Sequence, residues 1–275
     1  MKQIKALIPR IVKRKLNTIA SYPNELMFWL GAESIYKSDN FKKLETLRDC
    51  NKNKRCFIIG SGPSINKMDL SVLKNEITFG HNAFYLIADK VGFLPTYYVV
   101  EDPLPAEDNA NEINALSGTQ KIVAHYLKYC LDDSENTIYP FFDIHYGDSN
   151  TINFPQFSFG CDRKVYWGGT VVYFSIQLAA FMGCNKIYLL GVDLNYKIPV
   201  YADGEVITSR ENDLNHFHPD YFGKGKRYHD PHVDRMQKSI EYSYQVLKKN
   251  GCSLYNATCG GNLINVPRVS FIKLF

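Results

Sequence analysis

From Arg55 onward, short apolar runs alternate with longer stretches of helical spacing. Cys56-Phe57-Ile58-Ile59 is apolar without a break and stops at a glycine, the pattern of a strand covered on both faces. Ile77-Thr78-Phe79, Tyr97-Tyr98-Val99-Val100, Ile122-Val123-Ala124 and Thr137-Ile138-Tyr139 read as further strands, and Lys186-Ile187-Tyr188-Leu189-Leu190-Gly191 is the clearest of all. Between the last two, Thr170 to Met182 predicts an apolar helix ended by Gly183. A second helix, Val233 to Lys249, stops at Asn250-Gly251, and Ser253-Leu254-Tyr255 is the last strand. Such alternation predicts an α/β fold: an open, mostly parallel, Rossmann-like sheet with helices on both faces, in one nucleotide-binding domain over residues 51–275.

Two segments depart from that rhythm. Residues 195–230 are polar, aromatic and rich in His, Gly and Pro, and read as a long ordered loop or lid. Residues 1–50 read as a separate basic helical segment, with Ile4, Leu7, Ile8, Ile11 and Ile19 as a rough apolar stripe interrupted by Pro9. Residues 1–55 hold thirteen Lys/Arg against five Asp/Glu, or +8, which leaves 4 − 8 = −4 for the rest. This asymmetry matches either a helix packed on the domain or a contact of residues 1–20 with a membrane surface.

Bulk properties narrow the classes. The 275 residues are 45% apolar and 22% charged, as in ordinary folded domains. No apolar run approaches the roughly 18 residues that span a bilayer, and Met1 to Lys5 lacks a signal-peptide core. The expected location is cytoplasmic, with a peripheral place on the inner face of the membrane if the basic segment binds lipid. Seven cysteines, an odd count without a Cys-x-x-Cys pair, read as reduced thiols. A net charge of +4 gives no ground for a nucleic-acid partner, and a homo-oligomer stays open.

Candidate chemistry gathers at strand ends. Gly60-Ser61-Gly62-Pro63-Ser64 leaves the first strand as a turn that can bring backbone amides to an anion. It is no P-loop, since no Gly-Lys-Ser/Thr follows, and Ile65 stands where a dinucleotide fingerprint needs its third glycine. The next strand ends in His81-Asn82 where NAD-binding proteins place an acid, which disfavours oxidoreductase chemistry. Glu101-Asp102-Pro103 ends the third strand, and its acids suit a metal, a ribose or a turn cap. Gly168, Gly169 and Thr170 open the apolar helix, where amide donors and the helix dipole favour an anion. Asp193 follows the clearest strand, with Tyr196 and Tyr201 just beyond. Of the histidines, His216, His218, His229 and His232 cluster in or beside the lid. A histidine before the last helix is a natural general base, although each is equally readable as an ordinary loop residue. The His216-x-His218 spacing alone makes no metal site, and His216 and His218 read as acceptor or lid residues.

The motifs Gly60-Ser61-Gly62-Pro63-Ser64, Asn82-Ala83-Phe84-Tyr85, Asp102-Pro103, Gly168-Gly169 and Lys186 through Asp193 together resemble bacterial sialyltransferases of the lipooligosaccharide type. They resemble equally the MptE-like group, called after an archaeal 6-hydroxymethylpterin diphosphokinase, which includes flagellin-modifying Maf proteins. The tail, Leu254-Tyr255-Asn256-Ala257-Thr258 and Val266-Pro267-Arg268-Val269, looks more like the MptE-like group. The first resemblance implies a single-domain, GT-A-like glycosyltransferase that moves a nonulosonate or Kdo-type sugar from a CMP-activated donor to a glycan or glycolipid acceptor. In that family's pattern Ser61 replaces an asparagine, Ala83 a glutamine and Asp102 another asparagine, while Asn82, Gly168, Gly169, Tyr196 and Tyr201 fall on donor-contacting positions. His232 best matches the catalytic base, with His229 next. No cofactor is implied, the CMP-sugar being a substrate. The alternative is a pyrophosphokinase using ATP and Mg²⁺ held by Glu101, Asp102 and Asp193, and a third reading is a non-catalytic nucleotide-binding protein.

Overall fold

The computed structural model describes residues 39–143, 154–198 and 206–275. Strand β1 (Arg55–Ile59) lies inside the main sheet because its last four residues are apolar and find cover on both faces. Around it stand β2 (Ile77–His81), β3 (Tyr97–Val100), β4 (Gln120–Val123), β5 (Thr137–Ile138), β8 (Lys186–Leu190) and β11 (Ser253–Asn256). The order is β11-β8-β1-β2-β3-β4-β5, and every neighbouring pair is parallel. Two short ladders lie apart, the parallel β6 (Phe142–Asp143) with β7 (Val165–Tyr166), and the antiparallel β9 (Val206–Thr208) with β10 (Arg227–His229).

The helices are α1 (Asp39–Leu47), α2 (Tyr85–Val91), α3 (Pro103–Asp108), α4 (Ala110–Ala115), α5 (Val171–Phe181) and α6 (Val233–Lys249). Helix α5 has almost no polar face, so it is buried on nearly every side and packs on β1, β3, β7 and α6. Thr170 caps it by accepting from Val172 N. Helix α6 is amphipathic, and small Ser239 and Ser243 join Ile240 and Leu247 on its covered face.

Helix α1 belongs to the part of the chain expected to be separate. Instead, Leu44 and Leu47 enter the same core as the sheet. The turn after it donates from Asp49, Asn51 and Asn53 N to the carbonyls of Phe181, Met182 and Gly183, satisfying the open end of α5. Residues 39–53 therefore pack on the domain. The stripe in residues 1–20 lies outside the described residues. Among those described, no helix is long and apolar enough to cross a membrane.

The stretch expected as a loop at 195–230 contains β9 and β10, and its middle is anchored rather than loose. Phe217 and Tyr221 are buried, Phe217 N donates to Ser61 O at 2.9 Å, and Asn66 Nδ2 donates to Phe217 O at 2.8 Å. Three-residue strands without a tight turn between them leave no alternation to read in sequence.

Strand order reverses between β1 and β8, the place where open sheets of this kind leave a crevice. Here the two loops touch. Gly60 N donates to Leu190 O at 2.7 Å and Gly62 N to Gly191 O at 2.8 Å. A Cβ on Gly60 would stand 2.6 Å from Gly191 O, a backbone atom with nowhere to go. Gly60→Ala is expected to destabilise the protein by about 1–3 kcal/mol through overpacking, read as a lower urea midpoint at unchanged m-value; an unchanged midpoint would show that the two loops part freely.

Candidate functional site

Three amides of the glycine turn are engaged within the protein. Besides the donors of Gly60 and Gly62, Ser64 N is taken by Asp193 Oδ2 at 2.9 Å, and Ser64 Oγ donates to Asp193 Oδ1. Gly62 has no room for a side chain because Asp193 fills that space. Three of the amides expected to cradle an anion thus form an internal clamp on Leu190 O, Gly191 O and Asp193, with Pro63 starting a short 3₁₀ turn. Ser61 remains as the residue of this turn that faces open space. It lines a cleft of about 450 Å³ over the ends of β2 and β3, large enough for a small-molecule ligand.

Asn82 and Glu101 form the floor. Asn82 follows β2 with φ +46°, a left-handed backbone tolerated by asparagine, and its carbonyl accepts from Tyr98 Oη. Its Oδ1 is buried without a hydrogen-bond partner, and so is Glu101 Oε2. Burial, reinforced by the neighbouring Asp102, pushes Glu101 up to about 8, so it carries its proton at neutral pH. His81, buried beside them with Nε2 2.8 Å from Ser175 Oγ, is pushed down to about 3 by burial and stays neutral. The floor is therefore polar but uncharged.

Charge sits higher in the cleft. Asp102 caps α3 by accepting from Leu104 N at 2.9 Å, and the same Oδ1 lies 3.5 Å from His229 Nε2. His232 stands nearby at the start of α6, also on the cleft. Opposite, Gly169 and Thr170 bring the N-terminus of α5 to the wall, whereas Gly168 is turned inward: its carbonyl accepts from Ser239 Oγ at 2.8 Å, and a Cβ there would strike the Tyr173 ring. Gly169, at φ +78°, lets the stem of Arg235 pass close by. The Arg235 guanidinium lies 4.9 Å over the Trp167 ring, and its Nε is buried without a partner.

The lid closes one side. His216 Nδ1 is 2.7 Å from Asp213 Oδ2, and its ring stacks on Tyr221 at 4.2 Å and 4°. Burial pushes the Tyr221 hydroxyl up to about 12, against the pull of hydrogen bonds to Ser61 and Asn82. Tyr196 meets His216 edge-on, and burial raises its hydroxyl as well. His218 points elsewhere, accepting from Asp220 N at 3.1 Å, and Tyr201 lies outside the described residues. Arg227 moors the far side, with N to Asp108 Oδ2 at 2.7 Å and Nη2 to Glu107 Oε2 at 2.9 Å.

One cleft thus collects Ser61, Asn82, Asp102, Gly169, Thr170, Tyr196, His216, His229 and His232. Gly60, Gly62 and Asp193 line a smaller adjoining crevice, which shares Ser61, Thr170 and Tyr196 with the cleft. Sequence reasoning missed Tyr221 and Arg235. Tyr221 gave the signal of an apolar lid residue, and Arg235 that of a solvated position on an amphipathic helix. Of the alternative's Mg²⁺ set, Glu101 and Asp102 line the cleft, whereas Asp193 lines the adjoining crevice and is engaged by Ser64. Among the described residues no cluster of three His, Cys, Asp or Glu is placed to hold a metal ion.

A model of the family described as 6-hydroxymethylpterin diphosphokinase MptE-like matches residues 32–199. No curated protein matches the chain. A solved structure of a MAf glycosyltransferase from Magnetospirillum magneticum AMB-1 is similar at TM-score 0.49 and 15% identity, over 84% of this chain but 38% of that one. The sialyltransferase CstII from Campylobacter jejuni, in complex with cytidine-5′-monophosphate, is similar at TM-score 0.46 and 16% identity, over 79% of this chain and 85% of that one.

Glu101 carries a consequence for stability. Its ordinary value is 4.5 and its folded value about 8, so its contribution is fully present below the first and is lost as pH rises through the second. Glu101→Gln removes this titration. The melting temperature of the variant is expected to gain on the parent progressively from about pH 5 to about pH 8; a difference that stays constant with pH would mean that Glu101 ionises normally in the fold.

Proposed function

We propose, from the premise that this chain belongs to the 6-hydroxymethylpterin diphosphokinase MptE-like family, that its cleft transfers a sugar from a CMP-activated donor to an acceptor hydroxyl. The observation that carries this reading is the convergence of Ser61, Asn82, Gly169, Tyr196, His229 and His232 on one cavity. Its charge pattern supports a donor with a single phosphate diester rather than a triphosphate. Among the described residues Lys197 and Arg235 are the lysine and arginine on the cleft, against Asp102, Glu211, Asp213 and Asp230. A triphosphate would bring several further negative charges to that carboxylate-rich wall.

In this mechanism Arg235, held over Trp167 beside Gly169 and Thr170, meets the donor phosphate, and the N-terminus of α5 adds its dipole. Tyr196, on the same cleft, is the hydroxyl that would donate to the departing phosphate oxygen. Such fixed donors act on charge as it develops, in a site from which the lid excludes water. His229 and His232 are the candidate bases for the acceptor hydroxyl. Asp102 beside His229 would orient that imidazole and stabilise its charged form once it holds the proton. A nonulosonate or Kdo-type sugar, with a glycan or glycolipid as acceptor, is the substrate pair that the motif resemblance favours.

The family description itself favours a second reading, transfer of diphosphate from a nucleoside triphosphate. A melting-temperature panel separates the two. CMP is expected to raise the transition without added divalent ion, and ATP to leave it unmoved; stabilisation by ATP with Mg²⁺ alone would reverse the assignment. In transfer assays, His229→Ala or His232→Ala, whichever removes the base, is expected to lower kcat about 10²–10⁴-fold while CMP still binds; full turnover in both variants would reject a histidine base.

A further inference from the structure

The floor of the cleft holds two unmet oxygens that the proposed transfer leaves unused. Asn82 Oδ1 and Glu101 Oε2 are both buried, in residues 9% and 5% exposed, and neither has a partner. An unmet buried polar atom costs about 1–3 kcal/mol, so two on one cavity floor point to a ligand that satisfies them. They follow adjacent strands, β2 and β3, whose residues His81 and Val99 are direct neighbours, so one ligand edge can reach both. Their chemistry is complementary. Asn82 Oδ1 only accepts, whereas a protonated carboxyl donates through its O–H.

Resting on the reading of this cleft as the donor site, we infer that Asn82 and Glu101 select the base of the nucleotide, taking the edge of cytosine and refusing that of uracil. Cytosine offers an amino group beside an unprotonated ring nitrogen: the amino N–H donates to Asn82 Oδ1, and the ring nitrogen accepts from the Glu101 acid. Uracil reverses the pair, with a carbonyl facing Asn82 Oδ1 and a ring N–H facing the acid proton. A site that leaves its buried polar groups unpaired with the wrong ligand discriminates far more sharply than an apolar one.

The surroundings keep this acid neutral. Asp102, on the same strand end, is the nearby carboxylate, and its charge raises Glu101 further after burial has done most. Tyr126 donates to the Glu101 backbone carbonyl at 2.7 Å. From β2, His81 stays uncharged, and from the lid Tyr221 stays protonated through neutral pH. His229 Nε2 lies 3.5 Å from Asp102 Oδ1.

The test is equilibrium binding of CMP and UMP to the full chain by calorimetry. At about pH 7 the parent is expected to bind CMP at least about tenfold more tightly than UMP. Its CMP affinity should fall by up to about tenfold per unit once pH passes the Glu101 range, toward about pH 9.5, above the titration of histidine and phosphate. Glu101→Gln keeps a donor and an acceptor, so it should retain CMP binding, lose the pH dependence and narrow the preference over UMP. Glu101→Ala should lose at least about tenfold in CMP affinity. CMP bound equally well by all three proteins at every pH would overturn the inference while leaving the donor site standing. Failure of the parent to bind either nucleotide would overturn the donor-site reading, and this inference with it.

Discussion

At the reversal of strand order the Gly60–Gly62 turn rests directly on Gly191, backbone on backbone, and Asp193 ties the far end of that turn through Ser64. This contact narrows the space between the two loops. With the crevice between β1 and β8 reduced to a small space lined by Gly60, Gly62 and Asp193, the larger open volume lies over β2 and β3, where Asn82 and Glu101 form its floor. Ser61, the one residue of the turn left outward, is held from behind by the same contact and from above by Phe217. Small residues serve here to let two loops meet, a role distinct from that of glycines that yield space to a phosphate.

The electrostatics of the cleft are layered. Its depth is neutral, because burial keeps Glu101 protonated and His81 unprotonated. Its upper wall carries the groups that hold or exchange charge: Asp102 with His229, His232, and Arg235 over Trp167. Desolvation penalises charge most strongly where water is most excluded. A ligand with a neutral ring at one end and an anionic diester at the other matches that gradient.

Much of the fold was legible because parallel sheets write themselves plainly: strands covered on both faces become unbroken apolar runs, as Cys56–Ile59 and Ile187–Leu190 show. The helices from Thr170 and Val233 were equally plain from cap and stop signals. The cleft was legible as a set of strand ends, and Ser61, Asn82, Asp102 and Gly169, singled out on that ground, lie along it. What sequence could not express was direction. Gly60, Gly62 and Asp193 carry the composition of a ligand cradle, yet Gly60 and Gly62 donate to Leu190 and Gly191, and Asp193 accepts from Ser64, each across more than a hundred residues. Tyr221 and Arg235 were hidden for the converse reason, since their type and spacing matched core and solvent, and tertiary packing alone aims them at the cleft.

The mooring of the lid at Arg227 bears on how steadily its histidine is held. Arg227 grips Glu107 and Asp108 at one end of α3, and Asp102 caps the other end of that helix directly after β3. His229 sits two residues from the grip, opposite the cap. An imidazole carried on a connecting segment is thereby tied, through both ends of one short helix, to the strand that helix follows.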